Sequence, residues 1–423
     1  VKDKASVTRL FGSTLVAAVP GKILAFLMAM LLGRILGPSE FGAFIFAQGL
    51  AIIAAQFATL GWPTMMLRLM PTMFASQDWP RLKGLLRAAD RILLSSSVII
   101  GGGLIGSGFF MAQTDARQEL AYGLIFAGVI LPAISFRSLS RQQLAAWRKS
   151  AVAIAIDEII PPLGVLIVIM LIANLTAESA ILSFGLASLV SVLVARYLLR
   201  GINPPQLKTA EPLVELKVWN KIAVFCLIGT SAKLLMNKSD ILMLAPLSTM
   251  DETGIYGAAF RLTYLLTFPQ VALSMIMSPR YAVAHKNGDL AGLRKALKQT
   301  FSLSMLTTCL VVAPILIFSD EIMNIVYGQQ YTKGGEVLLI LALSQCFSAL
   351  VLPLSSLGMM TGRERFVGTA TVFALCVNIL LNFKLIPELG AFGAASASLA
   401  TMVCLFLVQT WFILRPTLRK EQI

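Results

Sequence analysis

Long apolar stretches recur along the whole chain, near residues 10–32, 42–67, 92–112, 119–138, 151–173, 179–199, 219–245, 254–278, 299–318, 335–359, 367–386 and 392–414. A helix needs about 20 apolar residues to cross a bilayer, and each stretch is bounded by glycine, proline or charge. The chain therefore reads as an all-α polytopic membrane protein with about twelve transmembrane helices. Composition agrees: 57% of the 423 residues are hydrophobic and 13% charged, half the roughly 25% charge of a soluble domain. An ordinary cytosolic enzyme is excluded.

The formal net charge of +14 comes from 35 Lys and Arg against 21 Asp and Glu. A nucleic-acid surface would need a folded soluble face, and no long soluble stretch separates the apolar segments, so no nucleic-acid partner is expected. Topology explains most of the charge instead. With a cytoplasmic N-terminus, alternate connections hold 27 basic residues, including Lys2, Lys4, Arg9, Arg137, Arg141, Arg148, Lys149, Arg419 and Lys420. The opposite connections and helix ends hold Arg34, Arg117, Lys238, Lys333 and Lys384. This positive-inside bias predicts that both termini are cytoplasmic. Lys22, Lys233 and Arg261 are left inside the helices.

No soluble catalytic apparatus is evident. Cys226, Cys309, Cys346, Cys376 and Cys404 lie in apolar runs and act as small hydrophobes. The lone His285 leaves little room for a histidine triad or multi-His metal site. The run from Gly101 to Gly106, GGGLIG, matches a dinucleotide fingerprint only formally, because it has no preceding strand. Inside a span it predicts close helix packing through Gly102 and Gly106. No P-loop sequence occurs, and no cofactor is expected. No cleavable signal is expected either, since the first apolar run is followed by Gly33-Arg34.

The sequence repeats. DWPRLKGLLRA, from Asp78, aligns with DLAGLRKALKQ, from Asp289, at an offset of 211 residues, and the same offset places Lys22 on Lys233. With four extra residues, Phe41-Gly42-Ala43 falls on Tyr256-Gly257-Ala258. Two pseudo-symmetric six-helix bundles follow: residues 1–200 as an N-lobe, 201–217 as a Pro-interrupted cytoplasmic linker, and 218–423 as a C-lobe. Even-numbered repeats are parallel, with a substrate site expected near the midplane between them.

Lys22 lies about 18 Å deep at ~1.5 Å per residue, where a lysine costs about 2.5–3.5 kcal/mol unless it meets water or a partner. Lys22 and Lys233 together suit a cavity for an anion. The alternative is that each pairs with a carboxylate, for instance Lys233 with Asp240. Arg261 either joins that cavity or snorkels outward. Pro269 on the same segment allows a kink. Asp240 and Asp157 are the candidate coupling carboxylates, although Asp157 and Glu158 also suit a salt link near Arg148 and Lys149. Gln48, Gln56, Gln345, Asn378 and Asn382 either line the cavity or bond between helices.

The segment LLGRILGPSEFGAFIFAQ, from Leu31 to Gln48, resembles the start of Wzx-type polysaccharide-biosynthesis proteins. These are lipid-linked oligosaccharide flippases of the MOP (MATE-like) exporter superfamily. The later pattern is similar too: Asp240, then GIYGAAFRL, then Ser278-Pro279-Arg280 and the loop after Asp289. The resemblance implies two six-helix bundles in a V around a central cavity, in a bacterial inner membrane. It also implies an undecaprenyl-pyrophosphate-linked glycan as substrate, with Lys22, Lys233 and Arg261 binding the pyrophosphate. A proton or sodium ion would be the coupling species, and a polymerase and glycosyltransferases the partners. Three rivals remain: a MATE-like drug or metabolite antiporter, a glycan-modifying membrane enzyme, and a non-transporting scaffold subunit.

Overall fold

The computed structural model describes residues 2–113, 118–415 and 417, with side chains from residue 19 onward. The side chains of Lys2, Lys4 and Arg9, together with Arg117, Arg419 and Lys420, lie outside the described residues. Helices occupy nearly all of it, and no strand occurs among the described residues. They are α1 (Lys2–Ala58), α2 (Trp62–Ala75), α3 (Trp79–Ala112), α4 (Gln118–Ala146), α5 (Ser150–Leu171), α6 (Ala177–Ile202) and α7 (Pro205–Thr209). Then follow α8 (Leu216–Leu247), α9 (Met250–Tyr264), α10 (Thr267–Lys286), α11 (Leu290–Tyr327), α12 (Gly335–Met360) and α13 (Glu364–Gln409).

By length and composition, ten helical stretches among the described residues can cross a membrane. Two are double. The 57 residues of α1 would extend about 85 Å if straight, far beyond a hydrocarbon core of about 30 Å. Its course breaks at Gly37, whose φ of 73° suits a residue without Cβ. The 46-residue α13 breaks in the same way at Gly390, φ 54°. Counting both halves of each recovers the twelve segments expected from hydropathy.

The chain forms two compact units. The first comprises Val1–Leu36 and Ala43–Leu234, the second Gly37–Gly42 and Leu235–Ile423. Their boundary falls within α8, and the stretch 201–217 belongs to the first unit. There it is fastened to α3 rather than free. Leu213 N–H donates to Pro80 O at 3.0 Å, Lys83 Nζ donates to the carbonyls of Lys208 and Ala210, and Arg81 pairs with Glu215 at 3.1 Å. Nearby, the buried rings of Trp62 and Trp219 meet edge to face at 6.2 Å. This core also takes in Met65, Met66, Leu82, Leu85 and Leu207.

The internal repeat is visible as local geometry. Asp78 caps α3 by accepting from Arg81 N–H at 3.2 Å, and Asp289 caps α11 by accepting from Gly292 N–H at 2.8 Å. The residue before each cap has positive φ, Gln77 at 55° and Gly288 at 66°. Each capped helix also follows a broken pair. α1 and α2 are interrupted at residues 59–61, and α9 and α10 at 265–266. Pro269 sits in the first turn of α10, where its missing N–H leaves no bond unmade.

Packing corrects one expectation. Gly101 and Gly108, not Gly102 and Gly106, let α3 approach α4. A Cβ at Gly101 would come 2.9 Å from Gly128 O, and one at Gly108 2.7 Å from Ala121 O, while Gly102 and Gly106 face open space. Thr176 serves as the N-cap of α6, in a reciprocal box with Ser179.

Candidate functional site

In the second unit, α8 carries Asp240 into the bundle, where it is 5% exposed and, among the described residues, the only buried side chain of the Asp, Glu, Lys, Arg and His types. Its Oδ1 accepts from Asn378 Nδ2 at 3.0 Å and Asn382 Nδ2 at 2.7 Å. Its Oδ2 accepts from Tyr256 OH and Ser398 Oγ, each at 2.5 Å. Asn378 and Asn382 are four apart on α13, so one helical face presents both amides. Ser239 Oγ fixes Asn378 by donating to its Oδ1 at 2.6 Å. Four neutral donors stabilise the carboxylate, each worth about 1.5–3 kcal/mol when the acceptor is charged. The Oδ1 atom of Asn382 is buried and without a hydrogen-bond partner. The group is therefore a single carboxylate enclosed by two amide and two hydroxyl donors.

The suggested pairing of Lys233 with Asp240 is not present. Seven residues of helix separate them by about 10.5 Å, and the aspartate's oxygens are already occupied. Lys233 is exposed and makes no ion pair among the described residues. Sequence reading found Asp240, Asn378 and Asn382 but not the roles of Tyr256 and Ser398. Tyr256 lies in the quoted GIYGAAFRL motif, which is the only signal that pointed to it.

Arg261, on α9, lies with its guanidinium 5.1 Å from the Phe41 ring centroid. Phe41 is fully buried and packs on Tyr327 and Tyr331 at 6.1 and 6.3 Å. It reaches them because residues 37–42 lie against α9 backbone to backbone. A Cβ at Gly42 would be 2.0 Å from Met250 O, and one at Gly254 2.0 Å from Pro38 O. The GPSEFG and GIYG motifs are thus two sides of one close contact. Lys238, assigned from sequence to a helix end, lies inside α8 and near enough to Arg261 for the two cations to repel.

The first unit holds the other ionic group. Asp157, on α5, is gripped at both oxygens, by Arg137 Nε at 3.0 Å and Arg141 Nη1 at 2.8 Å. Arg137 also donates to Ser188 Oγ at 2.9 Å and lies over the Phe184 ring. Glu158 pairs with Lys22 at 3.1 Å. The salt links expected near Arg148 and Lys149 are therefore made with α4 and α1 instead. Lys149 is the N-cap of α5, whereas Asp157 and Glu158 lie about two turns further in. Arg137 and Arg141 on the preceding helix, and Lys22 on α1, meet them there. Lys22 thus has a carboxylate partner, as one of its two readings required.

The twelve apolar helical segments, with charged groups inside them, define an all-α polytopic membrane protein. Its fold matches an inward-facing multidrug resistance MATE family transporter of the MOP superfamily, with a TM-score of 0.76 at 14% identity over 97% of this chain and 100% of that one. The chain belongs to the family described as polysaccharide biosynthesis protein, which it matches over residues 7–281. Residues 253–422 also match the family of the lipid II flippase MurJ. Among curated relatives, the probable low-salt glycan biosynthesis flippase Agl15 of Haloferax volcanii is 26% identical over 47% of this chain and 41% of its own length. The succinoglycan biosynthesis transport protein ExoT of Rhizobium meliloti is 25% identical over 80% of this chain and 66% of its own. The chain thus matches less than half the length of the first of these relatives.

Proposed function

We propose that this chain flips a lipid-linked oligosaccharide, borne on undecaprenyl pyrophosphate, from the cytoplasmic to the periplasmic leaflet of a bacterial inner membrane by alternating access. The product would feed surface polysaccharide export. The observation that carries this reading is the presence of cations within the spans of a chain from a polysaccharide-biosynthesis family. Lys22, Lys233 and Arg261 bind the pyrophosphate, while the isoprenoid tail stays in the bilayer and no covalent bond changes. A pyrophosphate diester carries about two negative charges, so an inside-negative potential of 100 mV contributes up to ~4.6 kcal/mol to outward movement if the charge is uncompensated. Asp240 with its ring of hydrogen-bonding side chains is the coupling group for a proton or sodium ion, and Asp157 instead orders two arginines. A polymerase and glycosyltransferases are the partners this role implies, with both termini on their cytoplasmic side.

A MATE-like antiporter is the second reading, favoured by the fold match and by the buried carboxylate. Neutralising Lys22, Lys233 and Arg261 singly to glutamine separates the two. Loss of surface glycan with accumulation of lipid-linked precursor supports the flippase. Loss of drug tolerance with glycan export intact supports the antiporter.

A further inference from the structure

We propose that Glu158 is the resting counter-ion of Lys22 and that the substrate's diphosphate displaces it, which makes Glu158 a positioning residue that sets affinity and release. The proposal rests on the reading of Lys22 as a substrate-binding residue. It begins with how closely α1 and α5 cross. Gly21 lies directly on Glu158, where a Cβ would come 2.5 Å from Glu158 Cβ and 2.9 Å from its backbone. With no side chain between the helices, Lys22 Nζ reaches Glu158 Oε1 at 3.1 Å. The other oxygen, Oε2, is buried with no hydrogen-bond partner.

The neighbouring carboxylate makes the contrast. Asp157 has a guanidinium on each oxygen, and Arg137 is itself held by Ser188 and Phe184. Removing it would strand two cations. Glu158 is satisfied on one side only, by a flexible amine whose side chain is 33% exposed against 17% for the glutamate. An arriving anion therefore meets the lysine first. Coulomb attraction scales with charge, so a diphosphate bearing two negative charges outcompetes a carboxylate bearing one for the same ammonium. When the diphosphate leaves, Glu158 recaptures Lys22 and keeps the site from holding its product. Asp157 fixes α4 to α5 throughout, and Glu158 is the exchangeable member of the pair.

The test uses the purified full chain with geranyl diphosphate as a soluble probe, read by calorimetry, and a transport assay in vesicles. K22Q is expected to weaken binding about tenfold, the scale of 1.4 kcal/mol. E158Q, nearly isosteric, is expected to tighten it by a similar factor, and K22Q/E158Q to bind like K22Q, because Glu158 acts through Lys22. In transport, E158Q lowers KM and kcat together, a split that a purely structural role would not produce. E158D, whose carboxylate stops one methylene short, gives a smaller tightening of the same sign and carries the test should E158Q not fold. If K22Q weakens binding but E158Q and E158D leave it unchanged or weaker, the exchange is wrong while the substrate reading of Lys22 stands. Tightening by E158Q that persists without Lys22 also overturns the exchange. If K22Q binds like the unaltered chain, the substrate reading fails, and the exchange with it.

Discussion

Asp240→Asn removes one charge from the second unit and almost no volume. The asparagine carbonyl keeps the bonds from Asn378 and Asn382, and its amide turns toward Tyr256 and Ser398, whose hydroxyls can reverse to accept. Four bonds fall from about 1.5–3 kcal/mol each to about 0.5–1.5, a loss of roughly 4–6 kcal/mol in total. Against this, the effective penalty for burying a carboxylate, itself several kcal/mol, disappears. The two nearly offset, so folding stability should move by no more than about 2 kcal/mol. Asp240→Ala differs, because it removes the acceptor shared by four donors, at about 1–3 kcal/mol for each one left unpaired, and opens a cavity, so it should melt far lower in detergent. The coupling assay follows flipping in vesicles under an imposed proton or sodium gradient. The unaltered chain should be accelerated by one of the two gradients. D240N should keep its basal flipping but lose the acceleration. Gradient stimulation that survives in D240N refutes the coupling role, and a D240N melt as low as that of D240A refutes the charge balance.

Other expected outcomes follow from particular contacts. G42A and G254A each force a methyl to within 2.0 Å of a backbone carbonyl, so each should destabilise by about 1–3 kcal/mol or more, seen as a lowered thermal midpoint. D78A and D289A remove equivalent caps and should each cost about 1 kcal/mol, with similar shifts if the repeat is genuine; a shift in only one contradicts it. D157N leaves Arg137 and Arg141 without their shared anion and should cost about 3–5 kcal/mol in the same melt. Y256F removes one of the four donors to Asp240, and should lower gradient stimulation more than basal flipping.

The helices were legible because twenty-residue apolar runs leave a bilayer chain few alternatives. The repeat was legible in the aligned words that begin at Asp78 and Asp289, but their role as caps of α3 and α11 came from the structure. What failed needed facts about helix rotation and partners. Gly102 and Gly106 were as plausible a packing face as Gly101 and Gly108 until the side of α3 that meets α4 was known. Asp240 stood out as a carboxylate in an apolar run, but a hydroxyl from Tyr256 and another from Ser398, 142 residues apart, leave no periodic signal. Glu158 and Lys22 were each conspicuous alone. Their pairing depends on Gly21 removing the side chain that would otherwise separate α1 from α5, and the sequence shows that glycine without its neighbour. Lys238 was grouped with the outer helix ends by its charge alone, although it lies nine residues before the end of α8 at Leu247, near Arg261.

The most direct test of the account is leaflet-resolved movement of a fluorescent undecaprenyl-pyrophosphate oligosaccharide in vesicles containing this chain alone. The account predicts that purified protein moves the lipid-linked glycan between leaflets, that R261Q and K22Q slow it, and that a lipid-linked monophosphate moves less well. Vesicles in which the glycan stays in its original leaflet, with the protein folded and inserted, would contradict it.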